Sequence, residues 1–160
     1  MFKPMPEIRH VNDAAALLVQ ASQPLVERFT LIHTAAAEWC VLVEDGGAFE
    51  LVWSSEWNRL MLIGALGLPA AQRELRALNM ALSYNALWRE TGCLRMARDA
   101  EDGSLLLIGQ IDLQGSAPEA VGTALLHFEV LRRGWSEALS GEGAAPPAGA
   151  PLSLGPFERV

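Results

Sequence analysis

The sequence has few of the residues from which catalytic and metal sites are usually built. Its two cysteines, Cys40 and Cys93, lie far apart in apolar stretches, which indicates reduced, buried thiols and no disulfide framework. The histidines His10, His33 and His127 are scattered, without metal-ligand spacing or an acidic partner at a telling distance. We therefore expect no catalytic residue, no metal site and no cofactor, and a protein that is not an enzyme.

Long apolar runs are missing as well. The longest nearly apolar stretch, residues 60–71, contains two glycines and a proline and is shorter than the about 20 residues that span a bilayer. The N-terminus has no apolar signal core. A net charge of −7 repels nucleic acid and anionic lipid. We expect a cytoplasmic, acidic protein that binds neither nucleic acid nor membrane.

The composition that remains is that of a folded domain. Of the 160 residues, 51% are hydrophobic and only 19% are charged, which is sufficient for a core. Residues 141–160 are rich in glycine, alanine and proline, which favours a flexible tail. We therefore predict one domain over residues 1–140 followed by a flexible tail.

Hydrophobic periodicity predicts a helix and then strands in the first half of the chain. Helical spacing covers residues 9–22, whereas residues 25–36 are compatible with either helix or an extended segment. Apolar residues then alternate on both sides of Asp45-Gly46-Gly47, which favours a tight hairpin turn. The predicted strands lie at residues 39–44, 49–54 and 59–66.

A second helix, predicted over residues 70–90, is apolar on more than one side. Leu87 and Trp88 lie outside its main apolar stripe, so the helix needs a second surface against which to bury them, and a partner subunit would provide one. This is the first indication of a dimer. The stripe consists of Leu75, Leu78, Leu82 and Ala86.

The second half continues with a hairpin and a third helix. Strands are predicted over residues 93–98 and 104–111, and the capping box Ser116-Ala117-Pro118-Glu119 begins a helix that runs to about residue 139. The order α-β-β-β-α-β-β-α predicts an α+β single domain with a mainly antiparallel, twisted sheet and three helices. The apolar face of the third helix contains Val121, Leu125, Phe128, Trp135 and Leu139.

Residues 78–97, LNMALSYNALWRETGCLRMA, resemble the centre of class I type III secretion chaperones, the Tir-chaperone family. In that family a helix with an asparagine-rich, apolar end passes through a glycine into a strand. The similarity continues through residues 102–107 and 111–113 to a closing helix with Phe128 and Trp135.

The resemblance implies an α/β homodimer that binds the N-terminal region of type III effectors and keeps it extended and competent for export, without catalysis. Its implied partners are secreted effectors, a second copy of the chain and the secretion ATPase. The implied client surface is helix one and the first sheet: Leu17, Leu18, Val41, Val43, Leu51, Trp53 and Leu62. The implied dimer interface is helix two and the following strand: Leu78, Leu82, Asn85, Trp88, Leu94 and Met96.

Two other hypotheses stay open on the sequence alone. Trp53, Trp57 and Trp88 are compatible with the lining of a pocket in a small-molecule-binding or enzymatic α+β domain. The chain is also compatible with an adaptor or regulator that binds a resident component of the secretion system.

Overall fold

The computed structural model of the protein describes residues 7–92 and 94–141. Within them the chain forms three α-helices and one six-stranded sheet, so the predicted α+β class is confirmed. Two short 3₁₀ turns lie at Gln23–Leu25 and Ala71–Arg73. The helices are α1 (Val11–Ser22), α2 (Glu74–Ala86) and α3 (Pro118–Ser140); the strands are β1 (Phe29–Ala35), β2 (Glu38–Val43), β3 (Ala48–Ser54), β4 (Arg59–Gly67), β5 (Arg95–Arg98) and β6 (Leu105–Asp112).

All five neighbouring strand pairs are antiparallel, in the order β1-β2-β3-β4-β6-β5. Strands β1 and β5 therefore form the two edges of the sheet. The segment that the sequence left open, residues 25–36, contains β1, so the sheet has one strand more than predicted. Its alternation is hard to detect in the sequence because several side chains of this edge strand are exposed.

One face of the sheet, the inner face, forms the core with the helices. The ring of Phe49 on β3 lies 5.2 Å from that of Phe128 on α3, and Tyr84 on α2 contacts Trp135 on α3 edge to face at 5.1 Å. The predicted apolar face of the third helix is buried as expected. The inner-face side chains of the central strands are Trp39, Val41, Val43, Phe49, Leu51, Trp53, Leu60, Leu62 and Leu66.

A buried ion pair within α3 lies where this helix packs on the sheet. The carboxylate of Glu129 accepts hydrogen bonds from Arg132 Nε at 2.7 Å and Nη2 at 2.8 Å, and both side chains are almost fully buried. Arg132 Nη1 also donates to the carbonyl oxygen of Ala65 at 3.3 Å. Gly47 and Gly64 leave the space for this arginine, since a Cβ on Gly64 would lie 2.6 Å from Arg132 Cδ. The arginine therefore joins the helix to β4 and lies against the turn between β2 and β3.

The helix starts differ from the sequence prediction at α3. The capping box predicted at residues 116–119 is wrong: Ala117 is the N-cap, and the Ser116 hydroxyl donates to the carbonyl oxygen of Asp112 at 2.7 Å instead.

The start of α1 is bonded to a side chain. Asp13 accepts hydrogen bonds from the N–H groups of Arg9 and His10 at 3.0 and 2.9 Å. These backbone bonds, that from Arg9 first, lower the pKa of Asp13.

The prediction that Cys40 is a buried thiol is wrong. Cys40 is free and only half-buried, because β2 directs it to the face of the sheet opposite the core. Cys93, the predicted flexible tail from residue 142 onward and the first six residues lie outside the described residues.

Candidate functional site

The face of the sheet opposite the core is apolar and only partly covered. Along β4 and β6 every second side chain is buried on the inner face, while the intervening ones are half-buried or exposed. Ile32 on β1 and Leu42 on β2 keep 41% and 42% of their surface exposed. We call this the outer face; its apolar members are Ile32, Leu42, Val52, Met61, Ile63, Leu106 and Ile108.

This outer face is a continuous surface across five strands. Val52 pairs with Met61 across β3 and β4, and Ile63 pairs with Ile108 across β4 and β6. Glu50, which pairs with Ile63, adds a carboxylate at its centre. An apolar area of this kind on a folded protein usually marks a place where another protein binds.

The outer face ends at the open edge formed by β1. The Glu44 N–H donates to the Arg28 carbonyl at 3.0 Å, which fixes the even-numbered residues of β1 as those bonded to β2. The backbone N–H and C=O groups of Phe29, Leu31 and His33 therefore point away from the sheet. Within residues 7–92 and 94–141 we find no hydrogen-bond partner for them. Such an edge is able to accept an added strand.

The seven residues implied for client binding lie in the core of the protomer. Each is at most 9% exposed: the five on strands share the face that is turned toward the helices, and the two on α1 lie on its buried side. A client would reach them only through the backbone of their strands or after displacement of a helix, and their role in binding stays a prediction. These residues are Leu17, Leu18, Val41, Val43, Leu51, Trp53 and Leu62.

Helix α2 carries a second apolar surface. It packs on the protein through Ala77, Ala81 and Tyr84, whereas Leu75 and Leu82 are 74% and 69% exposed. The small alanines allow close packing, so the larger leucines of the predicted stripe are left for another surface. We call this the α2 stripe; it consists of Leu75, Leu78 and Leu82.

The six residues implied for the dimer interface fall into three groups. Leu78, Leu82 and Trp88 are half-buried or exposed and are available for contact. Leu94 and Met96 are buried within the protomer. Asn85 is half-buried, and its amide bonds to the backbone of Met96 on β5. The arrangement of these six residues at an interface stays a prediction.

The geometry offers little for chemistry. The described residues contain no group of three or more His, Cys, Asp or Glu side chains that could hold a metal ion. The three tryptophans considered for a pocket do not enclose one, since Trp53 lies in the core while Trp57 and Trp88 are exposed. No helix among the described residues is long and apolar enough to cross a membrane.

Comparison with known proteins identifies the family. The sequence matches the Tir chaperone protein (CesT) family over residues 25–135. The chain belongs to this family. It is thus a type III secretion chaperone and not an enzyme, which confirms the resemblance described above.

Solved structures support the fold of this chaperone. A chain of the HopA1-SchA chaperone-effector complex is similar with a TM-score of 0.61 and 21% identity, over 78% of this chain and 94% of that one. A chain of the ExsC-ExsE complex is similar with a TM-score of 0.61 and 16% identity, over 82% of this chain and 97% of that one. No match is found among curated protein sequences.

Proposed function

We propose that this chaperone acts as a cytoplasmic homodimer that binds the N-terminal region of secreted effectors in an extended conformation and keeps it competent for export. The observation that carries the proposal is the apolar outer face beside the open β1 edge. Family membership and the HopA1-SchA complex, a chaperone-effector complex by name, support the same kind of partner.

The open edge suits an extended partner. The free N–H and C=O groups of Phe29, Leu31 and His33 provide hydrogen bonds that do not depend on the client sequence. Apolar side chains of the client would then contact the outer face, beginning at Ile32 and Leu42. Main-chain bonds give affinity and the side-chain contacts give selectivity.

Release needs no chemistry in this scheme. A disordered segment loses conformational entropy when it is ordered on the chaperone, and this loss offsets much of the gain from burying apolar area. Binding is therefore reversible, and a bound segment held extended is already close to the conformation in which it is exported. The client contact residues proposed here extend the implied set to the opposite face of the same strands.

The α2 stripe provides the contact for a second copy of the chain. Leu75 and Leu82 face away from the core, and the half-buried Leu78 lies between them at helical spacing, so two α2 helices related by a two-fold axis could bury each other's leucines. We expect Leu82→Glu to convert the dimer to a monomer in light scattering coupled to gel filtration. Val130→Glu is the matched control, because Val130 is an equally exposed apolar residue on α3. A wild-type protein that is monomeric at all concentrations would contradict this part of the proposal.

The client itself is found by affinity purification from the native cell. A secreted protein that co-elutes, and whose N-terminal region is protected from protease only in the complex, is the expected result. Ile63→Glu on the outer face should reduce the recovery of the client by at least about tenfold, because the free energy of burying one apolar side chain is lost. Val130→Glu should leave the recovery unchanged. Recovery of only a resident component of the secretion system would favour the adaptor hypothesis instead.

A further inference from the structure

The two edges of the sheet differ in how their outward backbone groups are bonded. At β5, the side chain of Asn85 pairs with the backbone of Met96 in both directions. Asn85 Nδ2 donates to the Met96 carbonyl at 2.9 Å, and Asn85 Oδ1 accepts from the Met96 N–H at 2.7 Å. A side-chain amide has the donor and acceptor that a neighbouring strand would supply. Asn85 therefore occupies the place of a seventh strand at this position.

Thr91 closes the next outward position on the same edge. The Leu94 N–H donates to the Thr91 carbonyl at 3.3 Å, and the Thr91 hydroxyl donates to the Leu94 carbonyl at 3.5 Å. The Asp99 N–H bonds to the Ser104 carbonyl, which fixes the odd-numbered residues of β5 as those bonded to β6. Leu94 and Met96 are thus outward-facing residues, and both are already bonded.

The third outward-facing residue of β5, Arg98, is held through its side chain, and no hydrogen-bond partner is found for its backbone N–H and C=O among the described residues. The guanidinium of Arg98 forms an ion pair with Glu74 of α2 at 2.9 Å and bonds to the Gly103 carbonyl at 3.3 Å. Helix α2 is therefore attached to β5 near both of its ends, through Glu74 and through Asn85. At β1, by contrast, the backbone N–H and C=O groups of all three outward-facing residues lack a hydrogen-bond partner within the described residues.

We infer that Asn85, supported by Thr91, restricts the addition of an extended segment to the β1 edge. This inference rests on the proposed function, since it concerns where a client strand binds. Its occupant is the backbone of an extended client segment, which pairs with Phe29, Leu31 and His33. The register shift after His33 limits the regular pairing at that end of β1. A sheet with two open edges would accept two strands per protomer, and Asn85 reduces this number to one.

The segment that fits β1 has a defined chemistry. It needs free N–H groups at alternate positions, so proline is excluded there. The client side chains on the outer face would lie next to Thr30 and Ile32, which favours β-branched or other apolar residues at every second position of the client.

Paramagnetic NMR locates such a segment directly. The probe is a short peptide of alternating threonine and valine, flanked by lysines, with a nitroxide label at one end. A peptide with proline in place of every second threonine is the control for binding without backbone pairing. The proteins are wild type, Asn85→Ala and Asn79→Ala, the last because Asn79 is an exposed asparagine of the same helix. Hydrogen exchange of the Met96 amide is measured in parallel without the peptide.

We expect the label to broaden the signals of Phe29, Leu31 and His33 in the wild type and to leave Met96 unaffected. In Asn85→Ala it should broaden both edges, and the Met96 amide should exchange about fivefold faster, which corresponds to the loss of one hydrogen bond. Asn79→Ala should match the wild type. Asn85→Asp, which accepts from the Met96 N–H but no longer donates to its carbonyl, should be intermediate and replaces Asn85→Ala if that variant does not fold.

Two results would overturn the inference: broadening at Met96 in the wild type, or binding that stays absent from β5 in Asn85→Ala and Asn85→Asp. The second result together with broadening at β1 would leave the proposed function intact. Broadening at Met96 in Asn85→Ala without any at β1 in the wild type would support the role of Asn85 and contradict strand addition at β1.

Discussion

Tyr84, the only tyrosine of the chain, makes the stability of this chaperone depend on pH in the alkaline range. Its ring packs between α2 and α3 against Trp135, and the side chain is almost fully buried. Burial disfavours the charged phenolate and raises the pKa of Tyr84 from 10.0 to about 12. Replacement by phenylalanine keeps the ring and removes the titration.

The magnitude follows from the two pKa values. In the unfolded chain Tyr84 loses its proton near pH 10, whereas in the folded chain it keeps the proton until about pH 12. The contribution to stability is therefore fully present below pH 10 and is lost as the pH rises through 12. A difference of about two pKa units corresponds to roughly 3 kcal/mol of unfolding free energy.

Urea unfolding followed by tryptophan fluorescence measures this loss. We expect wild type and Tyr84→Phe to respond alike between about pH 7 and pH 9, and the wild type to lose roughly 3 kcal/mol more than the variant by the time the pH exceeds 12. All other ionisable groups are common to both proteins, so their effects cancel in the difference. A spectroscopic titration of the tyrosinate band gives the folded pKa independently.

Two results would contradict the raised pKa of Tyr84. One is a tyrosinate titration in the folded protein with its midpoint near pH 10. The other is an equal loss of stability in wild type and Tyr84→Phe between pH 10 and 12, which would show that Tyr84 is not held neutral by its position between the helices.

Two further predictions concern the core and the start of α1. Arg132→Met should lower the free energy of unfolding, measured in urea, by about 3 kcal/mol because it leaves the buried Glu129 without its main partner. Adding Glu129→Leu to this variant should recover most of the loss. A loss below about 1 kcal/mol in the single variant would contradict the role of the pair. Asp13→Ala should lower the melting temperature at neutral pH, with the difference from wild type disappearing as the pH falls through the lowered pKa of Asp13, because only the carboxylate accepts the Arg9 and His10 bonds. A difference that persisted unchanged in acid would show that the charge of Asp13 does not matter.

The sequence was most informative where side chains alternate between core and surface. The alternation around Trp39–Val43 and Phe49–Trp53 correctly predicted which residues share a face of β2 and β3. It could not predict the direction of that face, because the face is covered by α1 and α3, which come from distant parts of the chain. For this reason the implied client residues lie inside the protomer, and the outer face was not identified.

The α2 helix shows a different limit. Its packing face consists of Ala77, Ala81 and Tyr84, which a hydrophobicity pattern ranks below the neighbouring leucines. The surplus of apolar residues did indicate that a second surface exists. The double bond from Asn85 to Met96 has no sequence signal of its own, since it depends on the distance between a helix and an edge strand.

The position of Arg132 also links the evolution of three separate segments. Its guanidinium and stem occupy the space that a side chain would take at Gly47 on the β2 to β3 turn and at Gly64 on β4. A side chain at Gly47 would displace the guanidinium from Glu129, and one at Gly64 would overlap the arginine stem. Either change would favour a smaller residue in place of Arg132 and an uncharged one in place of Glu129. We therefore expect Gly47, Gly64, Glu129 and Arg132 to vary together among relatives of this chaperone, because a change at one of them alone would be destabilising.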